Sequence, residues 1–311
     1  MKILLTGSEG FIGSHVKAKL LAKGHEVDTC DVLVPEVHGP YPPKDDITYP
    51  HMAGLIQPED LRQYDVIIHL GAKVSVADSM EHPWDYIEYN SDDTQMLMEA
   101  LQMCDKPRPK LVIASSSSVY GNVKLPFHED GPTSPTNIYG LTKLVQEKTA
   151  LLYSKVLDID CVALRFFNCY GPGQAQHNPI TGVMANFLRK FKDGEPVEVT
   201  EDGQQLRDFI HVDDLADAVV IAAEQHTIHP IYNICTGRAT TMERAAHLLG
   251  GYVGHPWTVE ITGKVRAGDQ RHVVGQPDRF ACEFDWKPRN VERGFLDYVD
   301  ADMGVRSVIQ S

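Results

Sequence analysis

The chain has 311 residues, 42% hydrophobic and 23% charged, which excludes disorder and fibrous repeats and suffices for a sizeable core. Lys and Arg number 29 against 43 Asp and Glu, a formal charge of −14, so the surface as a whole repels nucleic acid and anionic lipid, and an anionic substrate needs a local basic exception. The six dispersed cysteines form no C-x-x-C pair, no apolar run reaches the roughly 18 residues of a membrane span, and Ile3-Leu4-Leu5 is too short for a signal-peptide core; a cytoplasmic protein without membrane or nucleic-acid partners is expected.

Lys2 to Thr6 is a short apolar run ending at Gly7, apolar residues at helical spacing follow from Phe11 to Ala22, and Glu26 to Asp31 is a second extended run. The alternation recurs as strand Val66–Leu70, a helix from about Trp84 to Met103, strand Lys110–Ala114, a helix from about Tyr139 to Lys155, and strand Cys161–Arg165. Strands apolar on both faces, alternating with helices, predict an α/β fold: a Rossmann-type, doubly wound parallel sheet covered on both sides. Pro40-Tyr41-Pro42-Pro43 reads as a loop beyond the second strand. After about Asn168 glycine and proline become frequent and strands shorten, with one more helical segment, Val212 to Ala223, before Ile231–Ile234. The expected organisation is a cofactor domain over 1–168, to which 212–235 returns, and a smaller interwoven substrate lobe over 169–311, capping the sheet edge where α/β folds bind ligands.

Gly7-Ser8-Glu9-Gly10-Phe11-Ile12-Gly13 lies between the first strand and the first helix, where small residues permit a tight turn and a pyrophosphate can approach the helix N-terminus. Its G-x-x-G-x-x-G spacing is one residue longer than the common dinucleotide fingerprint. Asp31 ends the second strand, placed to accept hydrogen bonds from an adenosine ribose diol and to repel a 2′-phosphate, which favours NAD over NADP; a strand-end turn cap is the plainer reading. Glu9 puts an anion inside the phosphate loop, which is tolerable only with its side chain turned to solvent.

Two Y-x-x-x-K matches occur, Tyr120 with Lys124 and Tyr139 with Lys143. The first sits beside Gly121 and Pro126, in a turn, whereas Tyr139 opens a helix-compatible run whose spacing of four puts phenol and ammonium on one face. A neighbouring cation and a positively charged nicotinamide would together pull the Tyr139 pKa from about 10 toward neutrality, as a general base requires, although such a pair in isolation also fits a surface tyrosine packed on a lysine stem. Ser115 to Ser118 end the fourth strand at the same edge, as a polar turn or as a hydroxyl source beside Tyr139; no nucleophile elbow accompanies them. His69 and His211, at strand ends, read as hydrogen-bonded packing residues, and none of the 14 histidines shows a metal-binding spacing.

Together these residues resemble the extended short-chain dehydrogenase/reductase family, specifically its NAD-dependent nucleotide-sugar epimerases and dehydratases. The likeness is nearly full length, running through the glycine loop, Asp46-Ile47, His69 to Ala72, Asn90, Ser116 to Gly121, Tyr139 to Lys143, Arg165 to Pro172, Arg207 to Val212, Arg266 to Asp269 and Trp286 to Pro288. The resemblance implies that Tyr139 is the catalytic base, Lys143 its electrostatic partner and ribose ligand, and Ser116 the hydroxyl on the reacting sugar oxygen. It further implies that Gly7, Gly10, Phe11, Ile12, Gly13, Asp31 and Asn90 bind the cofactor, Asp46 and Ile47 its adenine, and that Leu70, Gly71 and Ala72 line it. Ser116, Ser117, Ser118, Asn168, Arg207, Arg266 and Asp269 would contact substrate, the arginines at the diphosphate and Asp269 at the nucleoside ribose.

Dehydratases of the family carry Asp-Glu directly after the catalytic hydroxyl residue; here Ser117 and Ser118 stand there, so the resemblance favours epimerisation. Asn178 to Val183 and Arg266 to His272 are similar to the branch that inverts C4 of UDP- and dTDP-hexoses, while Thr200 replaces an aromatic that stacks on the base and Gly71 a usual alanine. The implied reaction is C4 epimerisation through a transient 4-keto sugar. A dehydratase, reductase or decarboxylase on the same substrates, or a silent NAD-sensing regulator, are the alternatives. Met96, Leu97, Met98, Leu151 and Leu152 exceed what one sheet face needs; burial under another loop is the plainer explanation, and the resemblance implies a homodimer paired through those helices.

Overall fold

Ile3, Leu4 and Leu5 offer solvent no polar face, and the strand they form, β1 (Lys2–Thr6), lies inside a sheet covered on both sides. The computed structural model describes residues 1–32, 47–176, 182–254, 256–265 and 268–304. Six parallel strands run in the order β2 (Glu26–Cys30), β1, β3 (Val66–His69), β4 (Lys110–Ser116), β5 (Cys161–Phe166) and β9 (Ile231–Ile234). Ile3, Leu5 and Ile68 pack on one face against α1 (Phe11–Ala22), α8 (Val212–Glu224) and α10 (Asp278–Phe284). Leu4 and Ile67 pack on the other against α5 (Asp93–Met103) and α6 (Ile138–Leu157). The strand order reverses beside β1, so the crevice between the carboxyl ends of β1 and β3 is the place for a ligand.

The helix expected from about Trp84 to Met103 is interrupted. A short α4 (Pro83–Tyr86), opened by its proline, runs into a π-helical stretch, Ile87–Asp92, before α5 begins. The wider turn carries Asn90 inward, where the amide bonds the Lys73 backbone both ways, N–H to Oδ1 at 2.8 Å and Nδ2 to C=O at 3.0 Å, and donates to Thr142 Oγ1 at 3.0 Å. Short helices α2 (Pro58–Leu61) and α3 (Val76–Glu81) fill the preceding connections. The fourth strand is longer than its apolar run, taking in Ser115 and Ser116, because Ser115 Oγ donates to the buried Glu147 carboxylate at 2.7 Å.

Beyond β5 the chain alternates between the large sheet and smaller structures. β6 (Asn168–Tyr170), β8 (Leu206–His211), β10 (Ala239–Thr241) and β12 (His272–Val273) form one sheet, β7 (Val197–Val199) and β11 (Val259–Ile261) another. Around them α7 (Val183–Lys192), α9 (Met242–Val253) and α11 (Val291–Asp302) close a separate apolar core centred on Tyr170, Phe191 and Phe295. Of the surplus apolar residues, Leu97 and Met98 are fully buried core, because the sheet is packed by α5 along its whole length; Leu152 is 63% exposed. Pro40 to Pro43 lie outside the described residues, as do Asp46, Arg266 and most of the Asn178–Val183 segment.

Candidate active site

Gly7 takes φ +65°, and a Cβ there would fall 2.8 Å from Gly71 N; a Cβ on Gly13 would fall 1.9 Å from Gly7 O. Both glycines therefore let the loop fold onto the start of α1 and onto the chain leaving β3. The N-cap of α1 is Gly10, with no side-chain cap and no acidic residue in the first turn, so the first-turn backbone N–H groups at Phe11, Ile12 and Gly13 lack a helical acceptor, which suits a pyrophosphate. Asp31 closes the loop by accepting the Glu9 N–H at 2.8 Å, and Ile47 precedes Tyr49, which bridges to Cys30 beside it. Leu70, Gly71 and Ala72 are partly buried along the other wall. Glu9 does not turn to solvent: its side chain is 4% exposed and pairs with Lys17 Nζ at 3.1 Å, a cation two helical turns on that compensates the loop's anion.

Tyr139 stands in the first turn of α6. Asn137 caps that turn, its Oδ1 accepting from Gly140 N at 2.7 Å, and a Cβ on Gly140 would fall 2.6 Å from Ser118 O. The glycine thus lets the helix start press against the end of β4, which places the Tyr139 phenol close enough to Ser116 for that hydroxyl to favour its ionised form. Tyr139 N–H donates to Ser79 Oγ at 3.1 Å and the ring meets Tyr86 edge-on, so phenol orientation is fixed from two sides. Tyr120, by contrast, is fully buried in a structural cluster and donates to Asn233 Oδ1 at 2.7 Å.

The expected fall of the Tyr139 pKa toward neutrality is not met by the protein's own groups. Burial raises it and outweighs the lowering by the Ser116 hydrogen bond. The same burial acts oppositely on the cation: Lys143, 2% exposed, is brought down to about 7, with Glu147 opposing. Lys143 Nζ donates to Gln146 Oε1, a partner the sequence reading missed although Lys and Gln three apart on a helix share a face. Glu147 belongs to the fold, its carboxylate bridging Arg165 Nε at 2.9 Å and Nη2 at 2.7 Å.

Ser117 and Ser118 follow Ser116 in a 3-10 turn, where Ser118 N–H donates to Ser116 Oγ at 3.1 Å. Across the crevice Arg207, on β8, gives its Nη1 only to the Leu206 and Arg271 carbonyls, each at 2.9 Å, and has no carboxylate within ion-pair distance among the described residues. Exposed Asp269 and half-buried Glu201 act on it through the field. Asn168 Oδ1, Gln174 Oε1 and Gln205 Oε1 are buried without protein partners, and the two glutamines were not anticipated. Arg207 has no direct ion pair among the described residues, and two of the orphaned oxygens are near it, Asn168 on the strand paired with β8 and Gln205 two residues before it, which suits a polar, anionic ligand. His69 and His211 are packing residues as read: both His69 ring nitrogens bond threonine hydroxyls, and His211 Nδ1 accepts from Asp213 N at 3.2 Å. Among the described residues no group of three His, Cys, Asp or Glu could hold a metal ion, and no helix is long and apolar enough to cross a membrane.

The sequence pattern of the NAD dependent epimerase/dehydratase family matches residues 3–235. A UDP-glucose 4-epimerase of Halalkalibacterium halodurans is 30% identical, covering 93% of this chain and 91% of that protein. A UDP-N-acetyl-alpha-D-glucosaminuronate decarboxylase of Bacillus cytotoxicus is 33% identical over 75% of this chain and 74% of its own length. The Thermus thermophilus UDP-glucose 4-epimerase, solved in complex with NAD, superposes with a TM-score of 0.85 at 28% identity, covering 98% of this chain and 100% of the other.

Proposed function

The chain belongs to the NAD dependent epimerase/dehydratase family, and we propose that within it the protein inverts C4 of a UDP- or dTDP-hexose through a transient 4-keto sugar. NAD is the cofactor; when bound it supplies a reversible two-electron acceptor for the sugar's C4–H. Gly7, Gly10, Phe11, Ile12 and Gly13 would hold its pyrophosphate, Asp31 its adenosine ribose, Asp46 and Ile47 its adenine, with Leu70, Gly71 and Ala72 along its length and Asn90 pinning that wall.

Tyr139 takes the proton of the C4 hydroxyl and returns it when the sugar has turned over, while Ser116 holds the C4 oxygen and Lys143 keeps positive charge beside the phenolate. Arg207, with Arg266 and Asp269, holds the nucleoside diphosphate so that only the sugar rotates. The observation that carries this reading is the close approach of the start of α6, which bears Tyr139, to the Ser116–Ser118 end of β4, with no carboxylic acid after Ser116 to expel a hydroxyl. Domain roles follow: 1–168 with 212–235 for cofactor, the remainder of 169–311 for substrate. The outer face of α6 shows Leu141, Val145, Leu152 and Val156, and Trp84 and Met103 are also exposed, which supports a homodimer; with no membrane-crossing helix among the described residues, we place the protein in the cytoplasm.

Incubation of the protein with NAD and a panel of UDP- and dTDP-hexoses, followed by NMR, is expected to give a C4 epimer without net NADH. Release of carbon dioxide from a uronic acid substrate, or stoichiometric NADH, would replace this reading with decarboxylation or oxidation.

A further inference from the structure

We infer that Gln146 is a positioning residue for Lys143: its side-chain amide is locked by a buried hydrogen-bond chain so that a neutral oxygen, not a carboxylate, sits under the ammonium. The inference rests on the reading of Tyr139 and Lys143 as the reacting pair.

The lock follows from counting donors. Thr94 has one hydroxyl hydrogen, and it goes to the Asn90 carbonyl one turn back, at 2.8 Å. Thr94 Oγ1 can therefore only accept, and two groups converge on it: Gln146 Nε2 at 2.7 Å and His69 Nε2 at 3.1 Å. The Gln146 amide nitrogen must face Thr94, which turns Oε1 toward Lys143 and forbids the flipped amide. His69 must carry its proton on Nε2, so Nδ1 accepts from Thr6 Oγ1 at 2.9 Å, and that hydroxyl in turn accepts the Gly71 N–H at 3.0 Å. Two donor runs thus meet at Thr94 Oγ1, one starting from Gly71 in the wall of the cofactor crevice and the other from Lys143 in the catalytic helix. Every side chain in them is buried, and Gln146, His69 and Thr94 are fully so.

The electrostatic surroundings make the choice of a neutral acceptor matter. Glu147 acts on Lys143 from its own helix, on which Tyr139 lies one turn back, and His69 from β3, while Arg165 of β5 neutralises Glu147. His69 is held neutral by burial, its pKa at about 3, so it adds no charge at working pH. An amide oxygen stabilises the ammonium modestly and leaves its other N–H donors for the substrate side; a carboxylate would fix the ammonium and attract its donors away.

The test is NMR titration of the full-length protein carrying lysine labelled at Cε and Nζ, with the Lys143 resonance identified by its loss in Lys143→Met. Gln146→Met removes the acceptor at similar volume, and Gln146→Glu supplies a carboxylate; circular dichroism verifies that each is folded. The Lys143 midpoint is expected to fall by about one pH unit in Gln146→Met and to rise by about one or more in Gln146→Glu. The alkaline limb of sugar turnover should move with it. Midpoints within about 0.3 pH unit of the parent in the folded variants, with or without lost stability, overturn the inference. Midpoints that move as stated while no nucleotide sugar is converted support the positioning role and remove the epimerase reading instead.

Discussion

Two arginines on strands of different sheets should respond oppositely to the same substitution. Arg165 is 1% exposed and every guanidinium nitrogen is bonded: two on Glu147, the third on Tyr120 Oη at 2.8 Å and the Glu129 carbonyl at 3.2 Å, with the Tyr120 ring 4.7 Å beneath. Arg165→Met leaves a buried carboxylate with Ser115 and the more distant Lys148, a loss of about 3–5 kcal/mol. Arg207→Met removes only two carbonyl hydrogen bonds, worth about 1 kcal/mol each, and also removes the burial cost of a guanidinium whose pKa is pushed down by desolvation. Its stability should stay within about 1 kcal/mol of the parent. Affinity for UDP or dTDP should drop by roughly 10²–10⁴-fold, since two charged hydrogen bonds to a diphosphate contribute about 3–6 kcal/mol. Urea melts and calorimetric nucleotide titrations read the two effects separately. Equal destabilisation by both variants, or nucleotide affinity in Arg207→Met within about threefold of the parent, would refute the assignment of one arginine to the fold and the other to the ligand.

Gly140→Ala should leave a folded chain about 1–3 kcal/mol less stable with turnover at least about tenfold lower, because the new Cβ displaces α6 from Ser118 and parts Tyr139 from Ser116; melts and NMR turnover assays check both. His69 titrates near pH 6.5 when unfolded and near 3 when folded, so its neutral form stabilises the fold above about pH 6.5, and this contribution is lost as the pH falls toward 3, at up to about 1.4 kcal/mol per pH unit. His69→Gln should therefore show a shallower acid loss in urea melts at successive pH values; an unchanged slope contradicts the buried neutral imidazole. Leu152→Glu with Val156→Glu should convert a dimer to a 34.7 kDa species in sedimentation, and a parent chain already of that size would end the dimer proposal.

What could be read from sequence was local. The run Ile3 to Leu5, the glycine spacing and the Tyr139–Lys143 interval each encode their geometry within a few residues, and the structure puts them at one sheet edge. What escaped depends on partners distant in sequence. The π-helical turn exists because Asn90 reaches Lys73 and Thr142, so helical periodicity alone continued the helix through it. Glu9 could be buried only because Lys17 lies over it, and Leu97 and Met98 were absorbed by a core whose extent no single segment reveals. The contribution of the protein's own groups to the Tyr139 pKa escaped for the same reason: the spacing to a cation was legible, the desolvation of both groups was not.

Helix α6 explains how so much chemistry comes from one segment. At about 100° per residue, Tyr139, Lys143, Gln146 and Ala150 fall within a sector of about 60°, and Glu147 and Ser154 extend it toward the sheet. Leu141, Val145, Leu152 and Val156 occupy another sector of about 60° on nearly the opposite side. The inward sector must be polar at its start, where it meets the crevice, and apolar by Ala150, where it meets the core. The outward sector is constrained by neither, so its exposed apolar residues, Val156 at 74% and Leu152 at 63%, serve no purpose within one chain. A second copy seated there would cover them and stiffen the helix without reaching Tyr139, leaving each chain with its own complete Ser116, Tyr139 and Lys143.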